Sequence, residues 1–294
     1  MSTVATRPAG ALAALARTEI RGYARSPLFL LGAAGLAAMA VVDWMSTDDG
    51  SSSTMSAIAP AALLGVVGMF VMSILTVRSD RAAAVAGAVA TDERTRTGAL
   101  AIAIVVPATA ALLWYAQAVA LLFVRPPADW AVPYGPMDTT QVLFVMAALG
   151  VASAIGGPVL GLLAARWIPG RGVIAVGAVL VIAITIVLQG NFSSTWGWKA
   201  AWPWTYWYGP MGWRSEGDEV HWVVTPGTPI AWLGYLLALC ALGVLVALYH
   251  DRTARGARLR GWIVGLLVLA AVLLALTLTL GPSAAVINPA VAPA

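Results

Sequence analysis

The chain has 294 residues, 60% of them apolar and only 10% charged, with a formal net charge of +4. A soluble domain carries about 25% charged residues. So little charge cannot cover a water-facing surface of this size, which excludes a soluble globular protein and indicates one solvated by lipid. A single cysteine, Cys240, excludes an intrachain disulfide and a cysteine metal site.

In chain order, residues 9–25 place Leu12, Leu15, Ala16, Glu19, Ile20 and Tyr23 at helical spacing, with arginines between them. This predicts an amphipathic helix in the headgroup layer, within an interfacial unit 1–26. Arg7, Arg17, Arg21 and Arg25 precede any long apolar run, so the start does not read as a cleaved signal peptide.

A membrane-crossing helix needs about 20 apolar residues. Seven segments qualify within a transmembrane domain 27–281: 27–45, 57–77, 101–124, 140–165, 172–190, 229–249 and 261–281. With the N-terminus inside, fourteen of the seventeen basic residues fall in inner segments. Only Arg125, Lys199 and Arg214 fall outside. Basic residues accumulate on the cytoplasmic side, so this asymmetry orients the chain. The tail 282–294 then lies outside, short and without expected structure.

Between these spans, residues 78–100 form an inner loop that can be helical almost throughout, rich in alanine and ending in the cluster Asp92, Glu93, Arg94, Arg96. Span 140–165 holds Gly156, Gly157, Pro158 and Gly161, the composition of a kinked, closely packed helix interface. The outer loop 191–228 carries seven of the thirteen tryptophans, among them Trp196, Trp198, Trp202, Trp204 and Trp207. Trp and Tyr favour the membrane–water interface, and prolines 203 and 210 break any long helix, so short interfacial or re-entrant helices are expected there.

Much chemistry is missing. No GxxxxGK[ST] phosphate loop occurs, so the chain cannot bind ATP in that manner. Neither His221 nor His250 lies within a span, and they fall at opposite ends of the predicted bundle, which excludes a bis-histidine haem and a histidine-based intramembrane hydrolase. The spans contain no ionisable group of Asp, Glu, Lys, Arg or His type except Asp43 at one edge. Ion-coupled carriers usually place such groups at membrane depth. Any transport by this chain is therefore expected to draw its energy from another polypeptide, the alternative being a sodium-coupled carrier that uses only backbone and hydroxyl ligands. The chain is expected to carry no cofactor or metal, to bind no nucleic acid and not to be an enzyme.

Two stretches carry a family resemblance. One is the helix leading into span one, with Arg25, Ser26, Pro27 and Leu28 at its junction. The other is DERTRTGALAIAIVVP, with Glu93, Arg94, Gly98, Leu100 and Pro107 at matching positions. Together with the elaborated outer loop, these resemble the permease subunit of ABC-2-type ABC transporters. The resemblance implies an all-α, polytopic six-helix core and an ATPase-coupling region at 79–105. It implies a coupling interface of Arg81, Asp92, Glu93, Arg94, Arg96, Gly98 and Leu100, and an outer gate in the Trp-rich loop. It further implies an ABC ATPase subunit carrying ATP and Mg, a second permease copy or related permease, and export of an amphipathic substrate such as an antibiotic, modified peptide or lipid. The family core has six spans with both termini inside, so span 261–281 is an addition. The sixteen arginines against one lysine fit the codon bias of a GC-rich bacterium such as an actinobacterium, so a bacterial plasma membrane is expected. The competing reading is a non-transporting membrane anchor or regulatory subunit.

Overall fold

Inside a bilayer every backbone N–H and C=O must be paired within the protein, and a helix achieves this within one segment. The long apolar runs accordingly fold as helices. The computed structural model describes residues 8–46, 59–86, 91–126, 138–168, 173–191, 201–202, 211–216, 219–224, 228–251, 256–280 and 285–287. Helix α1 is Pro8–Ala24. Ser26 is extended, and Pro27 then starts α2 (Pro27–Met45), a position where its missing N–H costs nothing. Helix α3 enters through a π-helical turn, Ala61–Val66, and continues as Val67–Ala86. Helices α4 (Glu93–Ala103) and α5 (Val105–Val124) are nearly continuous. Helix α6 runs Thr139–Met146, passes through a π-helical stretch at Ala147–Ala152, and continues as Ser153–Trp167. Then follow α7 (Val173–Asn191), α8 (Pro229–Leu248) and α9 (Ala257–Thr279).

Among the described residues, six runs are long and apolar enough to cross a membrane: Pro27–Met45, Ala61–Val85, Glu93–Val124, Thr139–Trp167, Pro229–Leu248 and Ala257–Thr279. The chain is a helical, multi-pass membrane protein by this measure. Helix α7, Val173–Asn191, covers the expected span 172–190 from its second residue on. The expected start of span three, 101, falls inside α4. The helix there begins at Glu93 and is interrupted at Ile104, because Pro107 has no N–H to donate to the Ala103 carbonyl.

Small residues set the core. Along one side of α6, Ser153, Gly157 and Gly161 lie against Gly65 and Met69 of α3. A Cβ at Gly157 would overlap the Gly65 carbonyl, and one at Gly161 would overlap that of Met69. The two backbones thus touch, as small-residue stripes permit. The Ser73 hydroxyl lies 2.7 Å from its own-helix Met69 carbonyl and 3.1 Å from that of Gly161, pinning the crossing. Met72, Leu100, Leu121, Met146, Leu162 and Trp232 are fully buried around it. Gly157, Pro158 and Gly161 therefore sit in a tightly packed crossing, whereas Gly156 borders a groove.

Helix α1 departs from the expected position. Its Ala16 and Tyr23 are buried in the protein, Gly98 of α4 faces Leu12, and Tyr23 meets Phe29 edge-on at 5.4 Å. The apolar side rests on α4 as well as on the start of the bundle, so protein contact replaces much of the expected contact with lipid. Helix α9 packs chiefly on α8, with Leu273 against Gly234, and leaves Leu267 and Val268 exposed.

The outer loop supplies a second correction. Its described part pairs β1 (Met211–Glu216) with β2 (Glu219–Val224), and β3 (Ala285–Ile287) from the tail adds antiparallel to β2. Val220, Val223 and Val224 favour this conformation over the expected short helices, and the tail has structure where none was expected.

Candidate functional site

The charges that sequence places near the span ends converge at one end of the bundle. The first turn of a helix has backbone N–H groups without helical partners. In α4 the Asp92 side chain, at the N-cap position, makes no cap bond. Instead the Arg94 N–H donates to Asp251 Oδ2 at 3.2 Å, from the chain just past α8. A carboxylate there also meets the positive end of the helix dipole. Next to it, His250 Nδ1 lies 2.5 Å from Glu93 Oε1, and the Trp167 ring meets the His250 ring edge-on at 5.2 Å. The end of α8 thus caps the start of α4 at two adjacent points.

Asp80 on α3 forms the second half of the cluster. Arg166 Nη1 donates to both of its oxygens, at 2.8 and 2.9 Å, and lies 4.0 Å from Glu93 Oε1. Arg96 Nη2 lies 3.5 Å from Asp80, while its Nη1 donates to the Thr91 carbonyl. The Arg166 side chain is only 3% exposed, against 41% for Asp80. Its Nε and Nη2, and Arg96 Nε, are buried without a hydrogen-bond partner. One charged network therefore joins α3, α4, α6 and α8.

This arrangement sorts the coupling interface expected from sequence. Glu93 and Arg96 are engaged within the chain. Leu100 is fully buried and Gly98 packs on Leu12, so these two serve packing and not an exposed interface. Arg81, Asp92 and Arg94 are exposed. Sequence reading missed Asp80, Arg166, His250 and Asp251 as members of the site. The available signal was their place within a turn or so of a predicted span end, where a charge needs a partner. Among the described residues no group of three His, Cys, Asp or Glu side chains could hold a metal ion.

At the other end, Arg125 donates to the Ser46 and Trp44 carbonyls, and Trp44 Nε1 donates to Gln117 at 3.0 Å. Of the five tryptophans expected at an outer gate, Trp196, Trp198, Trp204 and Trp207 lie outside the described residues. Trp202 donates to Thr185 Oγ1 of α7 at 3.0 Å, and Tyr235 of α8 donates to the Ala201 carbonyl at 2.9 Å. Trp202 also borders a groove of about 340 Å³ between α6 and α8.

Comparison with known proteins finds no matching family model, no matching curated protein and no matching solved structure.

Proposed function

We propose that this chain is the membrane subunit of an ATP-driven exporter of the ABC-2 type, in a bacterial plasma membrane with its N-terminus in the cytoplasm. In this reading α7 is a further span and α9 an accessory one packed outside the transport core. A separate ATPase carries ATP and Mg and docks on the exposed Arg81, Asp92 and Arg94. A second permease copy completes the pore, and the cargo is amphipathic.

The observation that carries the reading is the charged network at the start of α4. A push on α4 reaches α3, α6 and α8 together, because Asp80, Glu93, Arg96, Arg166, His250 and Asp251 join them. Arg166 sits between two carboxylates, Asp80 at 2.8 Å and Glu93 at 4.0 Å. A buried guanidinium with a second carboxylate within reach can re-pair when α4 moves, which is what switching requires. Pairing of β3 with β2 brings the tail to the outer loop, in keeping with the tail and that loop sharing one side of the membrane.

The test is co-expression with the neighbouring genes, among which an ATPase is expected, followed by affinity purification in mild detergent. Retention of the ATPase is expected, and its loss is expected for Arg94→Glu combined with Asp92→Arg. An ATPase that is never retained by the unsubstituted chain overturns the reading. A non-transporting anchor would retain partners yet leave efflux normal in a deletion strain.

A further inference from the structure

The groove between α6 and α8 has a definable chemistry. Its walls run from Ala152 to Leu163 on α6 and from Leu236 to Val246 on α8. At 1.5 Å per residue that is a slot about 15 Å long, with a volume of about 340 Å³. A helix, about 10 Å across, cannot enter such a slot. One extended hydrocarbon chain can.

The polar groups of the lining are turned inward. Ser153 donates to the Ala148 carbonyl at 3.3 Å, Cys240 Sγ lies 3.9 Å from the Ala152 carbonyl, and the Trp202 indole N–H goes to Thr185. These three side chains are the polar-capable members of the wall. Each already has an acceptor within the protein, so the slot offers an incoming molecule hydrocarbon contact and little hydrogen bonding. Trp202 lies towards the Leu236 end, because Ala201 is bound by Tyr235. The helices packed outside α6 and α8 are α7 and α9, whose apolar faces are exposed.

The geometry points to a binding slot for one acyl chain of a bilayer phospholipid, with Trp202 as the stop that sets the chain length. The occupant is a lipid chain because the slot lies between helices at membrane depth, is too narrow for another helix, and has walls that match hydrocarbon alone.

The test uses the full chain, without an ATPase, in phosphatidylcholine nanodiscs doped with a phospholipid bearing a diazirine midway along one acyl chain. After illumination, adducts are mapped by peptide mass spectrometry. Adducts on 152–163 and 236–246 are expected at least fivefold above those on the exposed Leu267–Val268 face of α9, which reports ordinary bilayer contact. Leu239→Trp, which fills the slot, should remove that excess and leave α9 labelling unchanged. Trp202→Ala should move the preference to phospholipids with longer chains. Equal labelling of slot and α9 overturns the proposal. So does an excess that survives Leu239→Trp. Loss of α9 labelling would mark a misfolded variant, and Leu163→Trp then serves as the alternative filling substitution. Because no ATPase is involved, failure here leaves the coupling reading standing, and failure of ATPase binding leaves the slot standing.

Discussion

The two ends of the bundle are held by different physics. At the arginine-rich end, ion pairs and a capping carboxylate join the ends of four helices. At the tryptophan-rich end, neighbouring helices are tied by separate hydrogen bonds such as Trp44–Gln117, Trp202–Thr185 and Tyr235–Ala201. A network with shared members moves as a unit, whereas separate bonds can break one at a time.

The largest effect is expected where a buried charge loses its partner. Arg166→Ala leaves Asp80 and Glu93 without their common guanidinium. Breaking a fully buried pair costs 3–5 kcal/mol, but water reaches Asp80, so about 2–3 kcal/mol is expected, read as a lowered melting temperature in detergent. An unchanged melting curve would remove the network from any account of rigidity.

Asp251→Ala should cost about 1 kcal/mol, the usual value of a helix cap. Hydrogen exchange should speed up at the Arg94 amide but not at α7. Acceleration at both ends alike would erase the contrast between them.

Trp202→Phe removes one indole hydrogen bond and should cost about 0.5–1.5 kcal/mol. Faster exchange should be confined to α7 and the start of α8, with the Arg94 amide unaffected.

The smallest effect concerns pH. Desolvation raises the Glu19 carboxyl above its ordinary value, partly opposed by Arg78. A raised carboxyl favours the docked α1 when protonated. Its contribution is fully present below the ordinary carboxylate range and fades as pH rises through the raised value. Protection of α1 from exchange should therefore weaken across that window, and Glu19→Gln should flatten the dependence.

Much of the helical framework was legible because each span is a local property: some 20 consecutive apolar residues, bounded by charge. Gly157 and Gly161 likewise announced a close crossing, since a missing side chain is visible in sequence. The boundary at Ile104 was less legible, because Leu100 and Ala103 look like membrane residues yet belong to the packed helix α4 that precedes the break. The outer hairpin was masked by its tryptophans, whose interfacial preference says nothing about backbone conformation.

The sequence by itself determined that this is a helical membrane protein with its basic residues concentrated at predicted span ends, because hydropathy and charge act residue by residue. Only the tertiary structure decided that Glu93 meets His250 and Arg94 meets Asp251, 157 positions apart in each case. It also decided that α6 and α8 leave an apolar groove between them. Both depend on the order of the helices around the bundle, which near-uniform apolar surfaces encode weakly and the contacts of a few small and charged side chains select.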